Sequence, residues 1–184
     1  VGDQWVVNGS KIFITNASSE ISIGSTAQTV TSTDEKGNKS FTNFIVRRNV
    51  PGFKAVAMHG KMMWRASDTA ELYFDDCKVR DEDMLGKEGE GSKIMLATLD
   101  SGRLSIAAMG LGLAQGAFEL ALNYSKERKQ FGKPIGKFQI NAFKLADMAT
   151  KIELARNLLY KACWLKDNKL PFAKEAAMSK LYCS

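Results

Sequence analysis

The sequence predicts an α+β chain, with an antiparallel β-sheet domain (part of a barrel or sandwich) followed by part of an α-helical bundle. Three observations carry that prediction. Residues 1–84 hold short runs of β-branched and aromatic side chains separated by turn signals. A polar, glycine-rich stretch at 85–91 then interrupts the pattern. Residues 92–184 carry Leu, Ala, Met and Ile at helical spacing over long runs.

In chain order, Trp5-Val6-Val7 and the run 11–15 read as two strands joined by a tight Asn8-Gly9 hairpin, because that dipeptide favours the positive φ angles of a two-residue turn. Further strands are predicted at 21–31, 41–46, 53–58 and 70–74, with Lys36-Gly37-Asn38 and Pro51-Gly52 as turns. The connector 85–91 ends at Ser92, a residue type suited to cap a helix N-terminus. A first helix is predicted from 92 to about 127, apolar on nearly every face as in a helix surrounded by others. A second helix, 138–167, places Leu145, Met148, Ile152, Ala155, Leu159 and Ala162 three and four residues apart, the spacing of a bundle seam. Pro171 is placed in the first turn of a third helix. The chain opens at Val1 on a strand-like run and stops at Ser184 in a helix-like one, so it reads as an internal piece of a longer protein.

The formal charge of +6 comes from 26 Lys and Arg against 20 Asp and Glu. No basic stripe with interleaved aromatics accompanies it, so nucleic-acid binding is not expected. Residues 104–122 are long enough to suggest a membrane span, but Gln115, Glu119 and several small residues dilute them, and a buried bundle helix is preferred. Cys77, Cys163 and Cys183 are odd in number and widely spaced, as expected of reduced thiols. No metal-ligand spacing is present, and the single histidine, His59, reads as a surface or turn residue.

Two glycine patterns resemble nucleotide loops. The stretch Gly110-Leu-Gly112-Leu-Ala-Gln-Gly116 lies mid-helix with its last glycine one position late, and reads instead as a close helix contact at Gly112 and Gly116. The connector glycines 86, 89 and 91 lack the Lys-Ser/Thr that makes a phosphate loop specific.

Several stretches, in order and over essentially the whole chain, resemble the acyl-CoA dehydrogenase family, most closely its short- and medium-chain branches. They include residues 8–17, Arg65-Ala-Ser67-Asp68-Thr69, Phe74-Asp75-Asp76-Cys77, Leu99-Asp100-Ser101-Gly102-Arg103, residues 127–134, Phe138-Gln139 and residues 176–181. The resemblance implies an FAD enzyme that converts an acyl-CoA to a trans-2-enoyl-CoA and passes electrons to an electron-transfer flavoprotein. It further implies a homo-oligomer, typically a tetramer, in the bacterial cytoplasm (the preferred location) or the mitochondrial matrix.

By the same resemblance, Phe13-Ile14-Thr15 match the flavin-stacking motif, with Phe13 where the family usually has tryptophan and Thr15 near flavin N5. Arg128, Phe131 and Gln139 match positions that reach the FAD of a neighbouring protomer, Arg128 being suited to its pyrophosphate. Asp100, Ser101, Gly102 and Arg103 match a segment that touches the acyl-CoA. The family's catalytic glutamate stands either just before that arginine, where this chain has Gly102, or far downstream, so it is expected beyond Ser184. Glu119 and Glu153 match no catalytic position. The expectation is therefore a truncated, inactive piece of the enzyme. A non-catalytic oligomerisation fragment and an acyl-CoA oxidase are the alternatives.

Overall fold

The computed structural model describes residues 4–184. The chain divides into two compact units, Val1–Met95 and Leu96–Ser184.

The first unit carries two antiparallel sheets. Strands β1 (Gln4–Thr15), β4 (Phe53–Ala57) and β5 (Thr69–Arg80) form one in the order β1-β5-β4, and β2 (Gly24–Thr33), β3 (Lys39–Arg47) and β6 (Met84–Leu85) form the other in the order β2-β3-β6. Alternate side chains from both sheets meet in one core, with Val7, Ala27, Phe44, Val46, Leu72, Phe74, Cys77 and Val79 buried. The β2–β3 turn is built by Asp34, whose Oδ1 accepts the N–H groups of Lys36 (2.9 Å) and Asn38 (2.8 Å) while Gly37 takes φ 82°.

Two β predictions are corrected here. The Asn8-Gly9 pair does not close a hairpin: β1 runs through it, and the pairing with β5 shifts register between Val7 and Gly9. Gly9, at φ 141°, is a bulge, and Asn8 bridges to Asp76 across it, donating from Nδ2 to Oδ1 (2.9 Å) and accepting the Asp76 N–H (2.7 Å). The strand predicted from residue 21 begins at Gly24, since 16–23 form a turn held by side-chain hydrogen bonds, leaving Ile21 and Ile23 87% and 89% exposed.

The helical region holds α1 (Gly91–Glu127), a two-stranded hairpin of β7 (Lys129–Gln130) and β8 (Lys133–Pro134), then α2 (Gln139–Asp167) and α3 (Ala173–Cys183). Leu104, Ala107 and Leu111 of α1 pack with Ile152, Ala155, Leu159 and Ala162 of α2 and Ala176 of α3. The seam predicted on α2 is buried from Ile152 onward; Leu145 and Met148 precede the stretch that α3 covers, and the end of α3 at Tyr182 and Cys183 lies beside Lys151 and Ile152. By length and composition α1 could cross a membrane, with mean hydropathy 1.4 over 18 residues. Its Leu104–Leu111 side is nonetheless core, and Gln115 donates to Glu119 (2.6 Å) on its surface.

Three helix predictions are also corrected. Helix α1 starts at Gly91, so Ser92 lies inside the helix and the Glu90 carbonyl accepts the Ile94 N–H (3.1 Å). Pro171 stands before α3, whose N-cap is Phe172. Gly112 and Gly116 face open space, and the close contact falls at Gly110, which lies against the Cys183 carbonyl. A four-residue glycine spacing marks one side of a helix without saying which side meets a neighbour.

Candidate functional site

In the first unit the predicted residues lie at the end of β1. A second register shift, between Lys11 and Ile14, throws Phe13 into a positive φ of 62°, a costly conformation for an aromatic residue. Its ring is 67% exposed. Ile14 is half-buried against the core, and Thr15 pairs with Thr69 of β5. Ile14 and Thr15 open on a concavity of about 330 Å³ lined also by Asn16, Ala17, Ile21 and Ile23. A larger groove of about 570 Å³ runs between Trp5–Lys11 of β1 and Ala27–Thr31 of β2 and contains none of the predicted residues.

The turn after Thr15 is held from three directions. Asn16, at φ 60°, donates its N–H to the Asp68 carbonyl (3.1 Å). The Asp68 carboxylate accepts the N–H groups of Ser18 and Ser19 (both 3.0 Å) and the Ser18 hydroxyl. Arg48 donates to the carbonyls of Ser18 and Ser19, and Lys61 donates to the Ser67 carbonyl and to Thr69 Oγ1 (2.7 Å). The Ser18 hydroxyl in particular, with both backbone N–H groups and the Lys61 charge, holds the Asp68 carboxyl below its ordinary range against a smaller effect of burial. The sequence alone assigns no role to Asp68, although the stretch that contains it carries part of the family resemblance.

In the second unit, Phe131 and Gly132 form the two-residue turn between β7 and β8, at φ 51° and 79°. That geometry matches the primed hairpin turns, which readily take glycine second but rarely a bulky aromatic first. Phe131 is 91% exposed and packs edge-to-face with Phe138, whose ring also carries the Lys133 ammonium at 4.6 Å. Arg128 stands where α1 passes into the hairpin: its N–H closes on Tyr124 and its carbonyl accepts from Ile135 (2.8 Å). The Arg128 guanidinium is exposed, with no partner among the described residues. Gln139, also exposed, opens α2 just after its half-buried N-cap, Phe138. Residues 128–139 thus carry an unpartnered guanidinium, an exposed ring and an exposed amide, side-chain types suited to a phosphate-bearing ligand with aromatic groups.

Asp100 and Arg103 lie one turn apart on α1 and form an ion pair, half-buried on both sides. Ser101 is half-buried, and Gly102 is exposed with nothing within 4 Å of where a Cβ would stand. Glu119 is engaged by Gln115, and Glu153 by Asn157 (2.9 Å) and Arg156 (3.6 Å). His59 is exposed. The cysteines are free; burial raises the thiol pKa of Cys77 and of Cys183. No metal-ligand cluster occurs among the described residues. The connector glycines are held by protein: Gly89 donates its N–H to Thr42 Oγ1 (3.0 Å), and Gly91 lies against the Phe41 carbonyl.

Comparisons with known proteins extend over both units. Residues 1–77 match the family profile described as the acyl-CoA dehydrogenase middle domain, and residues 89–184 match the acyl-CoA dehydrogenase C-terminal domain. The chain is 47% identical over 183 residues to the probable acyl-CoA dehydrogenase YngJ of Bacillus subtilis, covering 100% of this chain and 48% of that protein. It is 46% identical over 184 residues to the mitochondrial short-chain specific acyl-CoA dehydrogenase of Homo sapiens, covering 100% of this chain and 44% of that one. The solved butyryl-CoA dehydrogenase of Megasphaera elsdenii superimposes with a TM-score of 0.91 at 46% identity, over all of this chain and 47% of that one. The chain spans about half the length of the curated relatives it matches. With both domain profiles matched in order and the fold shared with a solved member, the chain belongs to the acyl-CoA dehydrogenase family.

Proposed function

We propose that the protein carrying this chain is an FAD-dependent dehydrogenase of short- to medium-chain acyl-CoA thioesters, forming the trans-2-enoyl-CoA and passing electrons to an electron-transfer flavoprotein. The observation that carries this reading is the β7–β8 turn, where Phe131 is 91% exposed at positive φ close to the unpartnered Arg128. Backbone strain and an uncompensated guanidinium are tolerated where a ligand uses them.

Bound FAD supplies N5 as hydride acceptor. The residues present fit that cofactor: Phe13 offers an exposed ring, Thr15 a hydroxyl donor at the mouth of a concavity, and Ile14 backs both from the core. Arg128 is assigned to the pyrophosphate and Phe131 and Gln139 to the same cofactor of a neighbouring protomer. Asp100, Ser101, Gly102 and Arg103 are assigned to the acyl-CoA, with Asp100 orienting the guanidinium it pairs with. The base that takes the α-proton is assigned to a glutamate outside residues 1–184, because Gly102 fills one family position and Glu119 and Glu153 are engaged on helix surfaces. These residues therefore bind but do not turn over.

Apolar side chains left open along α1, among them Leu113 at 71% and Leu120 at 75%, favour assembly of copies, in this reading as a tetramer. The same observation supports a second reading of the isolated chain, a non-catalytic oligomerisation scaffold. Free cysteines suit a reducing compartment: the cytoplasm of a bacterium or the matrix of a mitochondrion.

The test is the visible spectrum of the chain mixed with FAD, then with butyryl-CoA under anaerobic conditions. The expected result is a bound-flavin spectrum that butyryl-CoA does not bleach. Bleaching would place a base within these residues. Absence of flavin uptake, with self-association in size exclusion, would favour the scaffold. In the whole protein, peroxide formation in air would mark an oxidase instead.

A further inference from the structure

The Asp68 cluster lies outside the contacts assigned above, yet it controls the segment that follows Thr15. One residue grips residues 16–19 twice: its carbonyl takes the Asn16 N–H, and its carboxylate takes the Ser18 and Ser19 N–H groups and the Ser18 hydroxyl. The neighbouring residue, Thr69, is the register partner of Thr15 and is itself fixed by Lys61 (2.7 Å). Arg48 closes the cluster on the far side of the turn by donating to the Ser18 and Ser19 carbonyls. Thr15 and the strained Phe13 therefore sit immediately before a turn that is bonded on both its N–H and its C=O sides.

We propose that Asp68 is a positioning residue for the flavin edge, acting through Ser18 and Ser19 to fix the direction of the Thr15 hydroxyl and the Phe13 ring; this rests on the flavin reading of Phe13–Thr15. A carboxylate suits the site because three donors converge on it, two N–H groups on one oxygen and the Ser18 hydroxyl on the other. An asparagine can keep its oxygen on the two N–H groups and turn its NH2 to the Ser18 hydroxyl, which can accept, so it removes chiefly the charge. Alanine would leave two half-buried N–H groups unpaired and remove the carboxylate whose charge lies near Lys61.

The first arm needs no flavin. Amide hydrogen exchange is followed in the wild-type chain and in Asp68→Ala and Asp68→Asn, with the α2 amides as internal reference. Exchange at Ser18 and Ser19 should quicken by about tenfold or more in Asp68→Ala, and by less in Asp68→Asn, while α2 stays unchanged, one lost hydrogen bond to a charged group being worth about that factor. Unchanged exchange at Ser18 and Ser19 overturns the proposal.

The second arm is a double-mutant cycle read by FAD titration of the visible spectrum, with Asp68→Ala and Thr15→Val alone and together. If Asp68 acts through the strand end, Thr15→Val weakens FAD binding several-fold in the wild-type background and much less in Asp68→Ala. Additive effects overturn the positioning role. If the wild-type chain takes up no FAD, the flavin reading fails for these residues, and the grip of Asp68 on the turn is still decided by the exchange arm.

Discussion

Gly110 of α1 lies against the carbonyl of Cys183 at the end of α3: a Cβ at Gly110 would stand 2.0 Å from that oxygen. The missing side chain is therefore what lets the last turn of α3 reach α1. Gly110→Ala should destabilise the helical unit by about 1–3 kcal/mol, the usual cost of overpacking a fitted contact. Gly112 has nothing within 4 Å of a Cβ, so Gly112→Ala should be neutral or stabilising by up to about 1 kcal/mol through helix propensity. Urea unfolding followed by circular dichroism separates the two, and equal effects would refute the assignment of the contact to Gly110.

Gly9 and Gly52 make a second contrast. Both take positive φ, 141° and 86°, but a Cβ at Gly9 meets open space whereas one at Gly52 would stand 1.8 Å from the Asp75 carbonyl oxygen. Asp75 also donates its N–H to the Gly52 carbonyl (3.1 Å), so the turn before β4 is locked onto β5. Gly9→Ala should cost about 1–2 kcal/mol, a conformational penalty alone. Gly52→Ala adds a steric clash with backbone and should cost about 3 kcal/mol or more. Thermal unfolding of the β unit reports both.

Much of this architecture is legible locally, and the misses share a cause. The strand at 41–46 and the three-four spacing of Ile152, Ala155, Leu159 and Ala162 appear as predicted, because each depends on one element's own residues meeting a core. Asn8-Gly9 misled because a glycine with positive φ serves a hairpin and a bulge equally, and what decides is the distant partner strand carrying Asp76 and Cys77. The role of Asp68 was hidden for the same reason. Its donors lie some fifty positions earlier, at Ser18 and Ser19, and Arg48 and Lys61, which hold the turn and its flanking strand, come from two further segments. The resemblance singles out Arg128 and Phe131 at this hairpin, whereas the positive φ of Phe131 required the backbone.

Asp83 predicts a pH dependence. Burial of its side chain raises its pKa, but hydrogen bonds from Arg47 and from the Arg80 N–H, together with both guanidinium charges, outweigh that and leave it lowered. A carboxyl whose folded pKa lies below its unfolded value of about 3.9 stabilises the fold above that value and loses the contribution as pH falls through the folded pKa. The melting temperature of the β unit should therefore drop as pH falls below about 4. Asp83→Asn should melt lower at neutral pH, by the equivalent of about 1.5–3 kcal/mol, and show a flatter acid limb. Parallel acid limbs in the two proteins would show that Asp83 carries none of the dependence.

Arg128 and Phe131 separate binding from folding. The Arg128 side chain has no partner among the described residues, so removing it costs the fold little, and Arg128→Ala should keep stability within about 0.5 kcal/mol. If it meets the cofactor's pyrophosphate, the same change removes charge-assisted hydrogen bonds worth about 1.5–3 kcal/mol, a roughly tenfold to hundredfold loss in FAD affinity. Lys129, exposed on β7 beside it and assigned no cofactor contact, is the control: Lys129→Ala should change affinity less than about threefold. Phe131→Gly should move the two properties in opposite directions. Glycine relieves the φ of 51°, so stability should hold or rise by up to about 1 kcal/mol, while loss of the ring weakens FAD binding. A variant whose stability and affinity fall together would mean that the hairpin is held by Phe131 and is not strained for a ligand.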